Sequence, residues 1–408
     1  MHLRFTTAGE SHGKAFVTIV EGLPAGLPVA ADAVDRDLAR RMQGYGRGAR
    51  MKIERDRIEW LSGVRAGETL GSPVAMLIAN RDWANWEDVM AAEAAESGEP
   101  RRRRVSRPRP GHADLAGVLK YDRLDARDIL ERASARETTA RVAAGALAKR
   151  LLDEFGVEVG SHVVTLGGVV APRPAELPVP LNDVADRSEV RVLDVSVEPE
   201  IVRRIDEAKK AGDTLGGEVE VVARGVVVGL GSHVSWDRKL DGRLAGLLMS
   251  IPAVKGVEIG MGFEAARRPG SEVHDAISGE GAPPVGGDRR GGFRRGTNNA
   301  GGLEGGITTG EPVVVRVAMK PISTLMSPLR TVDLASGAPA NAQSERSDVT
   351  AVPALGVIAE AMVALALADA MLEKFGGDSL GEMRRNYQAY VGSLGARWTR
   401  DRGAAGAG

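Results

Sequence analysis

Cysteine is absent from the 408 residues. That removes disulfides, thiolate nucleophiles and cysteine-ligated zinc or iron-sulfur centres. Aromatic side chains make up only 4% of the chain, too few to supply the base-stacking platforms of a single-strand nucleic-acid binder. Neither sign of charge dominates, because 54 basic and 55 acidic residues leave a net charge of -1. No overall field therefore draws the molecule to nucleic acid or to a membrane surface, and any anion site has to be built locally. The opening MHLRFTTAGE has no apolar stretch behind a basic start, so no signal peptide is expected and the expected location is cytoplasmic. The six histidines include no H-x-x-x-H pair, so no metal site is expected.

What is present is a chain rich in turns, with 52 glycines and 20 prolines among short apolar segments. This predicts an α+β fold. Strands are expected at FVTIVEGLP near residue 16, PVAMLIAN near 73, VEVGSHVVTLGGVV near 157, GEVEVVARGVVVGLG near 217 and PVVVRVAMKP near 312. Between them ADAVDRDLARRMQG puts Val34, Leu38 and Met42 on one helical face, which leaves Arg40 and Arg41 directed away from the core. Ser134 and Glu137 fit a capping box opening a helix near residue 135. Further helices are expected near 199–212 and 239–250. The longest apolar run, PALGVIAEAMVALALADAMLEKFGG, has the length of a membrane span, but Glu360, Asp369 and Glu373 interrupt it. Pro353 in its first turn and Gly376 after its last mark a capped core helix instead, so no membrane partner is expected. No linker divides the chain, which predicts a single domain over residues 1–395 and a disordered tail over 396–408. The segment GEGAPPVGGDRRGGFRRGTNN from residue 279 also reads as mobile.

Near the N-terminus, GESHG (residues 9–13) fits the G-x-S-x-G pattern of a serine nucleophile elbow. That elbow needs a strand before the serine and a helix after it. Here a strand follows. A P-loop also fails, because only three residues separate Gly9 from Gly13 and Ala15 stands where Ser or Thr is needed. His12 and His112 both stand in glycine-flanked loops, where an imidazole is either simply solvated or able to give a proton to a developing anion. Arginines gather around them: Arg40, Arg41, Arg47 and Arg50 in RRMQGYGRGAR, six in PRRRRVSRPRPGH, and Arg132 and Arg136 at the helix start. Such runs can be solvated surface or a weak RNA contact, but the scarcity of aromatics argues against nucleic acid, and free amides beside Arg132 and Arg136 would seat a phosphate. Lys320, Arg346 and Asp348 lie in loops after apolar segments.

Taken together, TAGESHG, RRMQGYGRG, RPGHAD, RASARETTARVAAGA, IPAVKGVEIG, TNNAGGLEGGITTG, MKPIST and RSDVTAVPALGVIAEAMVALALADAMLEKFGGDS resemble the chorismate synthase family in order and spacing, from about residue 3 to residue 390. The resemblance implies a β-α-β sandwich, with helices packed between antiparallel sheets, assembled as a homotetramer. It implies a 1,4-anti elimination of phosphate from 5-enolpyruvylshikimate 3-phosphate to give chorismate, using reduced FMN (FMNH2) with no net redox change. NADPH or another external reductant would keep the flavin reduced. His12 matches the histidine thought to protonate the departing phosphate, and His112 the one thought to protonate the reduced flavin. Asp348, assisted by Ser11, matches the carboxylate that helps remove the C6 proton. Arg41, Arg47, Arg109, Arg136 and Arg346 match substrate contacts. Cofactor contacts match Arg132, Ala133, Ser134, Pro252, Ala253, Gly305, Lys320, Pro321, Ile322, Ser323, Thr324 and Arg346, with Arg41 and Arg47 at positions described as contacting NADP. Two departures stand out: Met42 and Gln43 where many members have Arg-Pro, and a long basic loop before TNNAGG. A flavin-dependent oxidoreductase and an arginine-rich RNA-binding protein are the competing readings. Net flavin oxidation would mark the first, and indifference to loss of His12, His112 and Asp348 the second.

Overall fold

The β-branched runs form the interiors of two antiparallel sheets in the computed structural model, which describes residues 2–48, 55–93, 102–279, 288–344 and 347–404. The first sheet holds β1 (Arg4–Ala8), β2 (Ala15–Glu21), β3 (Glu59–Ser62) and β4 (Val74–Ala79) in the order β1-β2-β4-β3. Along β2 the side chains of Phe16, Thr18 and Val20 are buried while Ile19 faces out, the two-residue period of a half-covered sheet. The second sheet holds β5 (Glu158–Leu166), β6 (Val169–Val170), β7 (Gly217–Arg224), β8 (Val254–Ile259) and β9 (Val313–Met319) in the order β8-β9-β7-β5-β6. Strands β7 and β9 pair directly, Val221 opposite Val315.

The longer helices follow in chain order. They are α1 (Ala31–Met42), α2 (Asp114–Tyr121), α3 (Arg127–Ala133), α4 (Thr138–Asp153), α5 (Glu198–Ala211), α6 (Leu240–Met249), α7 (Val352–Phe375) and α8 (Leu380–Ala404). Helix α4 packs on β1 and β2, α7 packs on β5 and β7, and α4 and α7 pack on each other. A contiguous apolar core runs from Leu3 through both sheets and both helices to Leu394. Helix α7 is long and apolar enough to cross a membrane, yet the whole of its most apolar stretch is buried inside the fold. Pro353 and Gly376 bound it as the sequence predicts.

The close crossing of α4 and α7 is made by Gly145. A Cβ there would stand 2.3 Å from the Cβ of Ala361 and 2.5 Å from its Cα. Since backbone on both sides would have to move, Gly145→Ala should lower stability by about 1–3 kcal/mol. An unchanged urea midpoint would show that the crossing can open without cost.

Four local expectations are corrected. Arg41 is buried and Met42 only half-buried, because residues 34, 38 and 41 follow the 3.6-residue period inward more closely than 34, 38 and 42 do. Arg40 also turns inward, reaching the Glu360 carboxylate of α7 at 2.9 and 3.0 Å. The capping box does not form: Ser134 accepts from the Arg136 N–H at 3.3 Å, a 3-10 turn covers Ala135–Glu137, and Glu137 instead accepts from Thr7 at 2.8 Å and Arg141 at 2.9 Å. Backbone expected to be a disordered tail continues as α8 to Ala404, while 405–408 lie outside the described residues. In the loop from 279, residues 280–287 are likewise outside them. Its flanks form a hairpin, Ile277–Gly279 on Phe293–Arg295, and Asp288 accepts from Arg294 at 3.0 Å.

Candidate active site

A cleft of about 1810 Å³ opens where the exit of α1, the N-terminal loop, the loop before α2, the α3–α4 junction and the loop after β9 converge. Each element brings functional side chains because its regular part is held by the core while its end is released into a glycine- or proline-marked turn. Gly46 shows why the α1 exit is glycine-rich. Its φ is +85°, and a Cβ there would press on Ile205 at 2.9 Å.

On one wall, the Ser11–His12 turn is tied to α3 by one residue, Glu131. The Ser11 N–H donates to the Glu131 carbonyl at 2.9 Å and the His12 N–H to its carboxylate at 3.0 Å. His12 Nδ1 lies 2.9 Å from the same carboxylate, and the ring stacks on Trp86 with centroids 3.7 Å apart. Arg127 closes the set, donating to Glu131 at 2.7 Å. Burial by itself raises the Glu131 pKa, but hydrogen bonds and charge from His12 and Arg127 outweigh it and hold the carboxyl below its ordinary value. An ionised carboxylate only accepts, so Nδ1 of His12 carries a proton.

His112 is arranged in the same way. Its Nδ1 is 2.5 Å from Asp114, a fully buried carboxylate that also accepts from the Arg109 backbone N–H at 3.0 Å and from Arg109 Nε at 2.9 Å. Burial pushes the Asp114 pKa up, and the hydrogen bonds and charges of His112 and Arg109 reverse this and hold it well below the carboxylate range. The proton between the two therefore belongs to Nδ1, and Arg109 Nη2, though 3.1 Å from Nδ1, directs its hydrogen bond to Asp114 at 3.2 Å. Each histidine is thus backed by a buried carboxylate that is itself neutralised by an arginine.

Between these walls lies the cationic floor. Arg41 donates through Nε to Thr138 at 2.9 Å and through Nη2 to the Ala135 carbonyl at 3.2 Å. Its Nη1 is buried with no hydrogen-bond partner among the described residues, Asp56 being 3.7 Å away. Burial lowers the Arg41 pKa to about 9, which leaves the guanidinium charged at neutral pH. Arg136 is held bidentate by Asp56 at 2.6 and 2.7 Å. Arg47 pairs with Asp348 at 3.2 Å, and Asp348 also accepts the Gly48 N–H at 2.6 Å, fastening the α1 exit loop. The Ser134 hydroxyl lies 3.3 Å from that of Ser11. On the far side, Lys320 donates to the Gly111 carbonyl, and burial together with nearby Lys255 lowers its pKa. Thr324 accepts from Arg109 at 2.7 Å. Ala253, beside Pro252, is held at φ +69°, a conformation a non-glycine residue keeps only under constraint, while its carbonyl accepts the Lys320 N–H at 3.0 Å.

The structure therefore brings together on the cleft Ser11, His12, His112 and Asp348, the arginines 41, 47, 109 and 136, and Ala133, Ser134, Pro252, Ala253, Lys320, Ile322, Ser323 and Thr324. Arg132, Gly305 and Pro321 do not line it: Arg132 is half-exposed and donates to the Thr7 and Gly9 carbonyls at 2.9 and 3.1 Å, and Gly305 forms the turn between Leu303–Glu304 and Ile307–Thr308. Arg346 lies outside the described residues. Missed by the sequence reading were Glu131, Asp114, Asp56, Trp86 and Arg127. Asp114 carries a usable signal, two residues after His112. Glu131 stands just before the segment read for Arg132 and Arg136, and Asp56 has no local signal because its partner Arg136 is eighty positions away.

The cleft is large for one small molecule, and its lining suits anions: two imidazoles with fixed proton positions face a set of buried guanidiniums. The fold and site define an acid–base enzyme acting on an anionic metabolite. Residues 3–372 match the chorismate synthase family. A chorismate synthase from Symbiobacterium thermophilum is 58% identical over 401 residues, covering 97% of this chain and 100% of that protein. One from Geobacter sulfurreducens is 57% identical over 389 residues, covering 95% and 98%. A chorismate synthase crystal structure superimposes with a TM-score of 0.77 at 43% identity, over 97% of this chain and 99% of that one. The chain belongs to the chorismate synthase family, lyases that act on a phosphate-bearing substrate in the shikimate pathway.

Proposed function

We propose that the cleft carries out the 1,4-anti elimination of phosphate from 5-enolpyruvylshikimate 3-phosphate to give chorismate, with FMNH2 bound beside the substrate and no net redox change. The observation that carries this reading is the pair of carboxylate-backed histidines flanking buried cationic side chains. The volume has room for two ligands, and Arg41 Nη1, buried without a hydrogen-bond partner among the described residues, suits an anionic group. Ser134, Pro252, Ala253, Lys320 and Ile322 to Thr324 would hold the flavin. When bound, the reduced cofactor supplies transient electron donation that the protein's own side chains do not.

The residues supply the rest. As an imidazolium, His12 gives its Nε2 proton to the leaving phosphate and keeps the Nδ1 proton that faces Glu131, and Arg41, Arg47, Arg109 and Arg136 place fixed positive charge where negative charge develops. His112 holds a second proton for the flavin side of the cleft. Asp348, with Ser11, accepts the proton taken from C6, and its hold on Gly48 keeps it in place. The contacts of Arg132, Gly305, Pro321 and Arg346 rest on the family resemblance alone. The same reading makes residues 1–395 one domain, the two sheets with α4 and α7 between them a β-α-β sandwich, and the assembly a cytoplasmic homotetramer. NADPH would serve as the flavin's reductant through Arg41 and Arg47 or through an external reductase.

The test is anaerobic turnover with photoreduced FMN, following phosphate and chorismate together. Equal amounts of both over many turnovers, with flavin still reduced at the end, are expected. Flavin oxidised in step with product would replace this reading with an oxidoreductase. Raising the salt concentration should weaken substrate binding several-fold, as screening of clustered charges requires; salt-insensitive binding would remove the arginines from the substrate contacts.

A further inference from the structure

We infer that Glu131 is the positioning residue for His12, fixing the neutral imidazole in the tautomer with its proton on Nδ1, with Trp86 holding the plane of the ring. This rests on the reading of His12 as a proton donor and adds to it the group that sets which nitrogen does the work.

Three features support the assignment. Glu131 contacts the Ser11–His12 turn through backbone and side chain alike: its carbonyl accepts from Ser11 at 2.9 Å, and its carboxylate from the His12 N–H at 3.0 Å and from Nδ1 at 2.9 Å. A free histidine side chain would be able to reorient; this one is bonded at two points to one carboxylate. That carboxylate is almost fully buried, with Arg127 2.7 Å away on its other oxygen, so the charge facing Nδ1 is fixed rather than solvated. Trp86 stacks on the ring within 25° of parallel, and the guanidinium carbons of Arg103 and Arg127 lie 4.4 and 5.1 Å from the Trp86 ring centre, which immobilises the indole. A carboxylate that orients an imidazole acts by excluding the wrong tautomer, and loss of that restraint elsewhere costs orders of magnitude in turnover while leaving the geometry intact.

Glu131→Gln is the discriminating variant, because it keeps shape and burial but cannot accept at every point the carboxylate now serves. Nitrogen-15 spectra of histidine-labelled, ligand-free protein at mildly alkaline pH report the tautomer directly, with the His12 signal identified by its disappearance in His12→Asn. The expected result is a proton on Nδ1 in the parent protein and a shift toward Nε2 in Glu131→Gln. Turnover should fall about 100-fold with the substrate KM within about twofold. An unchanged tautomer, or a KM increase with kcat preserved, would overturn the assignment. If His12→Asn itself turns over normally, the proton-donor reading of His12 fails, while the tautomer measurement still decides whether Glu131 orients the ring.

Discussion

His112→Ala is expected to lose about 10²–10⁴-fold in turnover while still binding FMN. The separation of the two effects follows from the geometry. Removing the imidazole takes away one proton site, but Asp114 keeps its contacts to the backbone and side chain of Arg109, and Arg109 keeps its hydrogen bond to Thr324. That wall of the cleft therefore stays in place. Flavin affinity measured by fluorescence titration should change little, while stopped-flow formation of chorismate slows. Normal turnover in this variant would assign the proton to another group, and loss of flavin binding would make His112 a structural residue.

Glu360→Ala should destabilise the protein by about 3–5 kcal/mol, the usual cost of leaving buried charges without their counterion. Glu360 sits in the middle of the apolar α7 and accepts from Arg40 at 2.9 and 3.0 Å, Lys149 at 2.6 Å, Arg191 at 3.2 Å and Ser161 at 2.6 Å. Burial would push its pKa up; the charges of Lys149, Arg40 and Arg191 win and hold it far below the ordinary glutamate value. With the folded pKa below the unfolded one, the stabilisation is fully present above the ordinary glutamate range and is lost as pH falls through the folded value. The parent protein should therefore weaken steeply in acid, and Glu360→Ala should be less stable at neutral pH with a shallower acid limb. Urea midpoints measured between neutral and acid pH test both parts; equal midpoints for parent and variant at neutral pH would show that the three cations find other partners.

The framework was readable because it depends on local patterns. β-branched runs, the capped apolar helix and the glycine turns each reflect a rule that acts within a dozen residues, and β2, β4, β5, β7, β9 and α7 lie where those rules put them. The candidate catalytic histidines and most of the cation floor came through the long motifs. What was not readable is pairing across the chain. Arg40 and Arg41 looked like surface residues because no pattern announces Glu360, 320 positions from Arg40, or Asp56, 15 positions from Arg41. Glu131 and Trp86 were passed over for the same reason: each looks ordinary until the fold sets it against His12. Electrostatic partners are chosen by tertiary geometry, and helical or strand periodicity carries no record of them.

The hydrogen bonds from the His2 and Leu3 amides to Asp369, at 2.6 and 2.9 Å, join residues 367 and 366 positions apart. At about 5–20 residues per second the ribosome needs tens of seconds to make that partner. For that interval the first strand has been synthesised but α7, which covers the second sheet and packs on α4, has not. The nascent chain must therefore carry uncovered apolar surface until α7 has been translated, which makes that whole interval the one in which this protein is most exposed to aggregation.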